Sequence, residues 1–128
     1  MSSRTSRVME ELQHMGLQQM LVTDPMAIDY LTGYFNEPFE RFMALLLKAN
    51  GNHVMFLNTL FQKPDCPLKQ VWFTDTDDVT PIVAAEVDAA LPLGVDKDLK
   101  ARFLLPLMDA GAATGYVNAS LAIDLTRA

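Results

Sequence analysis

Apolar residues along this chain fall into short blocks whose spacing changes from block to block. Val8, Leu12 and Met15 recur at helical intervals and predict a helix over about Thr5 to Met15 with one apolar stripe. Gly16 suits the left-handed residue that ends such a helix. Met20, Leu21 and Val22 predict a short strand, Gln19 to Thr23. Asp24-Pro25 then reads as a helix start, because Asp accepts from free backbone N–H groups and Pro has none to leave unpaired. That helix is expected over Pro25 to Leu31, stopping near Gly33, with a loop at Tyr34 to Pro38.

The run Phe42 to Leu47 is apolar without alternation, as in a strand covered on both faces, so Arg41 to Lys48 is predicted as a central strand. Asn50-Gly51 favours a type I′ hairpin turn, with His53 to Leu57 as the antiparallel return. Thr59 to Lys69 carries Pro64 and Pro67 and reads as irregular. A strand is expected at Gln70 to Thr74. Thr80-Pro81 opens a helix that runs to Leu91 with Val83, Val87 and Ala90 on its buried side, and Pro92 stops it. Leu93 to Val95 is a brief strand, Asp98 to Asp109 a helix kinked or broken at Pro106, and Gly115 to Asn118 the last strand. Ser120 or Asp124 can cap a following element. This order predicts an α/β domain with a mixed sheet and helices on its faces.

The 128 residues suit one domain, and with half of them hydrophobic a packed core is expected. A net charge of -6 repels phosphate backbones, so nucleic acid is not an expected partner. The longest apolar run is too short to span a bilayer, and no apolar leader follows the polar first residues, so a cytoplasmic location is expected. Cys66 is the one cysteine, which excludes an internal disulfide and fits a reducing compartment.

Candidate chemistry is sparse. His14 and His53 lack ligand spacing, and Asp75, Asp77 and Asp78 lack the Gly and terminal Glu of a calcium loop. No phosphate loop or Gly-x-Ser-x-Gly is present. An enzyme built on Cys66 or on the three aspartates is therefore the weakest reading. The densest unusual stretch is Tyr30 to Arg41, with aromatics crowded on a loop. Tyr30, Tyr34 and Phe35 can pack on the domain's own core, or the loop tip can meet another chain or a ligand. Glu40-Arg41 can form a plain surface ion pair, or Arg41 can offer its planar fork to a carboxylate.

Leu21-Val22-Thr23-Asp24-Pro25, Ile28-Asp29-Tyr30-Leu31-Thr32-Gly33, Glu40-Arg41 before an apolar strand, and Gly94-Val95-Asp96-Lys97 occur here in that order. This set resembles the N-terminal domain of the creatinase/prolidase family, nearest to bacterial Xaa-Pro dipeptidases. The resemblance implies a three-layer α/β/α unit with a ribonuclease H-like motif and a mixed sheet of five to six strands. It implies that residues 1–123 form this domain and that 124–128 begin a linker to a separate C-terminal metallopeptidase domain. That domain would hold two divalent metal ions, manganese or cobalt, and cleave proline-containing dipeptides, while this chain would hold no cofactor and no catalytic residue. A homodimer is implied, in which the loop Phe35, Asn36, Glu37, Pro38, Phe39, Glu40 and Arg41 reaches over the partner's active site. Many relatives carry Asp-Pro-His-Glu-Arg in this loop, so Phe39 replaces a histidine and removes a titratable group. The alternative is a stand-alone α/β binding or dimerisation module without peptidase activity.

Overall fold

The computed structural model describes residues 3–127. The helices among them are α1 (Ser3–His14), α2 (Pro25–Thr32), α3 (Val79–Ala84), α4 (Ala101–Asp109) and α5 (Ser120–Arg127). The strands are β1 (Gln19–Val22), β2 (Ala44–Lys48), β3 (Val54–Asn58), β4 (Lys69–Phe73), β5 (Leu93–Val95) and β6 (Tyr116–Asn118). They form one six-stranded sheet in the order β4-β3-β2-β1-β5-β6. The central pairs β1–β2 and β2–β3 are antiparallel, while β1–β5, β3–β4 and β5–β6 are parallel. The predicted mixed sheet is therefore the observed one.

Strand alternation divides the core in two. Met20, Val22, Leu45, Leu47, Met55 and Leu57 face the layer of α1, α2 and α5. Leu21, Ala44, Leu46, Val54, Phe56, Leu93 and Val95 face α3 and α4. Every apolar residue of the run 42–47 is thus buried, which is why that stretch shows no polar alternation. No described helix is long and apolar enough to cross a membrane.

Local chemistry sets the element ends. Asp24 caps α2 by accepting from the Met26 N–H (3.1 Å), and Gly33 closes it in the left-handed conformation at φ 79°. Gly94 has a different reason to be glycine. A Cβ there would lie 3.0 Å from Ala119 Cβ and 3.3 Å from the Gln19 carbonyl oxygen, so its absence lets α5 start close over the sheet.

Several expected boundaries are corrected. The ladder of β2 begins at Ala44, not Arg41, because the Arg41 N–H donates to the Pro38 carbonyl (3.0 Å) and the chain is still turning there. Asn50-Gly51 is not a type I′ turn. Phe39 is the one non-glycine with positive φ among the described residues, whereas that turn needs two left-handed residues. Instead the Gly51 N–H donates to Lys48 O (3.0 Å), Gly51 takes φ 83°, and the Lys48 N–H donates to His53 Nδ1 (2.9 Å). The third helix ends at Ala84, not Leu91, and is capped by Asp78 rather than Thr80. Its expected second half is captured by Gln19, a buried amide on β1. Gln19 donates to Asp88 O (2.9 Å) and accepts from the Asp88 N–H (2.9 Å), and Ala90 is left exposed. The fourth helix starts at Ala101 rather than Asp98 and continues through Pro106 to Asp109 without a break.

Residues Asp124 to Arg127 continue the helix begun at Ser120. The expected linker start falls inside that helix, and Ala128 lies outside the described residues. Its cap comes from Asn118, whose Oδ1 accepts from the Ser120 N–H (3.1 Å), while Ser120 Oγ accepts from the Lys97 N–H (2.8 Å).

Candidate functional site

The loop between α2 and β2 is fixed at both ends and along its length. At its start Tyr34 packs against the α1/α2 side of the core, and its hydroxyl donates to Gln62 O (2.7 Å). Pro38 is buried, so the loop folds inward at its middle. Phe39 comes next with φ 53°, a left-handed conformation that costs a side-chain-bearing residue about 1–2 kcal/mol. Polar contacts hold it there. The Phe39 N–H donates to Glu37 (3.2 Å), Lys100 Nζ donates to Phe39 O (2.6 Å), and Arg102 donates to Glu40 O. The two cations come from the N-terminal end of α4, so the loop and that helix end form one structural unit.

This bracing presents rings to solvent. Phe39 is 71% exposed and Phe35 54% exposed, the open alternative for Phe35 left by the sequence. Tyr30, in contrast, is half-buried against the core, and its hydroxyl donates to Thr126 O (2.9 Å). Asn36 Nδ2 donates to the Met43 thioether Sδ (3.7 Å). A cleft of about 260 Å³ opens beside the loop, lined by Pro25, Glu37, Phe39, Arg41, Asp98 and Lys100 among others.

Arg41 finds its carboxylate within the chain. Its Nε donates to Asp75 Oδ1 (3.0 Å) and its terminal nitrogen to Oδ2 (3.1 Å), a two-point pairing. Asn58 Nδ2 adds a third donor to Asp75 (2.7 Å). Hydrogen bonding from Arg41 and then Asn58 holds the Asp75 carboxyl below the ordinary range, and the same pairing raises Arg41. Arg41 thereby ties the loop to the end of β4, so its fork is occupied in this chain. The other two aspartates are also engaged: Asp77 accepts from the Thr74 N–H (2.7 Å), and Asp78 caps α3.

Sequence reasoning singled out Gly94-Val95-Asp96 but assigned Asp96 no partner. Asp96 is buried at the C-terminal end of β5, beside the parallel end of β1. Its carboxylate accepts from the Thr23 N–H (2.6 Å), the Thr23 hydroxyl (2.6 Å) and the Asp24 N–H (2.8 Å). Burial pushes its carboxyl above the ordinary range, against the pull of these donors. The two quoted motifs thus meet in space, and Asp96 fixes the turn that leads into α2. The available signal in the sequence was an acid placed directly after a predicted strand.

Metal-binding geometry is a separate question. Among the described residues no three His, Cys, Asp or Glu side chains converge as ligands. Asp75, Asp77 and Asp78 are committed to the partners above, so these residues do not fit a two-metal site.

The chain matches the family described as Creatinase/Prolidase N-terminal domain over residues 4–128. It belongs to that family. The creatinase/prolidase N-terminal fold is shared with a proline dipeptidase from Streptococcus pneumoniae, at a TM-score of 0.82 and 20% identity, covering 99% of this chain and 98% of that one. A dipeptidase from Mycobacterium ulcerans superposes at a TM-score of 0.79 and 26% identity, covering 97% of this chain and 35% of that one. An uncharacterized peptidase of Staphylococcus aureus is 28% identical over 93 residues, which is 73% of this chain and 24% of that protein. The chain spans a quarter or less of the curated relatives it matches.

Proposed function

We propose that this creatinase/prolidase N-terminal domain is the non-catalytic part of an Xaa-Pro dipeptidase. In this reading it contributes to a cytoplasmic homodimer and places the loop Phe35 to Arg41 over the partner subunit's active site. Two divalent metal ions belong to a separate catalytic domain, and no step of the hydrolysis runs through residues of this chain.

One observation carries the role of the loop. Phe39 is held in a left-handed conformation by contacts from Glu37 and Lys100, yet its ring is 71% exposed. A strained, braced backbone that projects an apolar ring implies a surface for that ring to meet. The wall of such a pocket would be apolar at this position, where relatives with histidine would present a titratable group.

The test uses the polypeptide encoded by the whole gene, assayed with manganese on Xaa-Pro dipeptides. Hydrolysis is expected from that polypeptide and none from the 128-residue chain. Phe39→Ala in the longer polypeptide should raise KM several-fold while leaving the thermal midpoint unchanged, because the ring is exposed. Hydrolysis by the 128-residue chain alone would refute the reading. A gene product without peptidase activity would instead favour a stand-alone binding module.

A further inference from the structure

We infer that Lys100 is a positioning residue for the proposed reaction: from the start of α4 it fixes the direction of the Phe39 ring. This role rests on the proposed function, which puts that ring over a partner's active site. The direction of a side chain follows from the φ and ψ of its own residue, and those are set by the two peptide planes that flank it. Both planes around Phe39 are held. Its N–H donates to Glu37 (3.2 Å), a residue of the loop itself. Its carbonyl accepts from Lys100 Nζ (2.6 Å), 61 positions along the chain. The Glu37 contact moves with the loop, whereas the Lys100 contact ties Phe39 to the body of the domain. Arg102 adds a second tie one peptide further on, at Glu40 O.

These two cations are misplaced for the helix that carries them. Lys100 is the N-cap of α4 and makes no side-chain capping bond, and no acid stands in the first turn. The caps of α2 and α3 are aspartates that accept from a backbone N–H two residues on. A lysine has no acceptor for that purpose, and positive charges at a helix N-terminus oppose its dipole. Helix chemistry alone therefore favours Ser, Asp or Asn at position 100. What the lysine supplies instead is a donor to the one strained loop residue, Phe39 at φ 53°. A position that gives up its local preference for a distant contact is where function is expected. The helix has its own anchor. The Phe103 ring of α4 meets Phe42, just past the loop, edge to face with centroids 5.0 Å apart. Replacing Lys100 thus releases the Phe39 peptide without detaching α4.

The experiment measures steady-state kinetics of the polypeptide encoded by the whole gene, with manganese and a panel of Xaa-Pro dipeptides, beside its thermal midpoint. Lys100→Ser supplies the missing cap and removes the donor. It should raise KM several-fold with kcat unchanged, because a misdirected ring loses binding shared by the ground and transition states, while the midpoint holds or rises. Lys100→Arg keeps a donor and should recover most of the lost affinity. In a Phe39→Ala background, Lys100→Ser should add nothing further, since no ring is left to direct. An unchanged KM, a midpoint that falls together with activity, no recovery by arginine, or effects of the two substitutions that simply multiply would each overturn the role of Lys100. Chymotryptic cleavage after Phe39 in the 128-residue chain separates the two proposals. At low protease it reports the open population, and Lys100→Ser should accelerate it several-fold. Equal cleavage beside an active wild type sinks only the positioning role, whereas a wild type inactive on every dipeptide sinks the function and the role that rests on it.

Discussion

Replacing Asp96 tests how the two ends of the family pattern are joined. Asp96→Ala removes the acceptor for two backbone N–H groups, those of Thr23 and Asp24, and for the Thr23 hydroxyl. The hydroxyl can rotate toward another acceptor, but the two amides cannot move without unwinding the start of α2. Each buried amide left unpaired costs about 1–3 kcal/mol, so the variant should lose about 2–6 kcal/mol. That is a large share of the roughly 5–15 kcal/mol typical of a domain. Asp96→Asn behaves differently. Its carbonyl oxygen can serve both amides, and its NH₂ group can donate to Thr23 Oγ1 once that hydroxyl turns, so a loss of about 0.5–1.5 kcal/mol is expected. Urea unfolding at neutral pH, followed by tryptophan fluorescence from Trp72, measures both. If Asn is as damaging as Ala, the charge rather than the filled acceptor sites stabilises the turn, and the reasoning is wrong. Lowering the pH adds a sign. Burial raises the folded pKa of Asp96, so folding takes up a proton between the unfolded and folded values. The wild type should therefore gain on Asp96→Asn as pH falls through that window, and lose that gain as pH rises through the folded pKa.

Two further outcomes follow from the same geometry. Phe39→Gly should be more stable than Phe39→Ala by about 1 kcal/mol, because glycine adopts φ 53° without the Cβ clash; equal urea midpoints would show that the loop relaxes and stores no strain. His53 is buried with Nδ1 accepting from the Lys48 N–H, and burial lowers its pKa, so its contribution is complete above about pH 6.5 and declines as pH falls toward the folded value. Subtracting the profile of His53→Gln, which keeps an acceptor but does not titrate, removes the exposed His14 from the comparison; identical slopes would rule out His53 as the titrating group.

The parts of the fold readable in sequence are those decided by neighbours along the chain. Asp24-Pro25 and Gly33 bracket α2 because capping involves residues a few positions apart. Leu93 to Val95 is legible as a strand because Leu93 and Val95 flank Gly94 directly after a proline. Two of the misreadings involve distant partners. Val83 and Val87 are both buried, as a helix to Leu91 requires, but Gln19 takes the backbone groups of Asp88 and the helix ends early. Arg41 looked like the first residue of a strand, yet its direction is set by Asp75, thirty-four positions later. The loop Phe35 to Arg41 was legible as unusual from its crowded aromatics. What braces it was not, because Lys100 and Arg102 reach it from the far end of the chain.

The mixed sheet has a consequence for the order in which the molecule assembles. Its centre, β2 with β3, is a hairpin of near neighbours in sequence, and closing it takes little loop entropy. The seam between β1 and β5 joins Met20 to Gly94, so it waits until most of the chain has collapsed. β6 then adds to β5 at the edge of the sheet, while α5 packs on α1. In native-state amide exchange the β5–β6 pair should accordingly open at lower free energy than β2–β3. The edge strand β6 would thus be the last to join the sheet and the first to leave it.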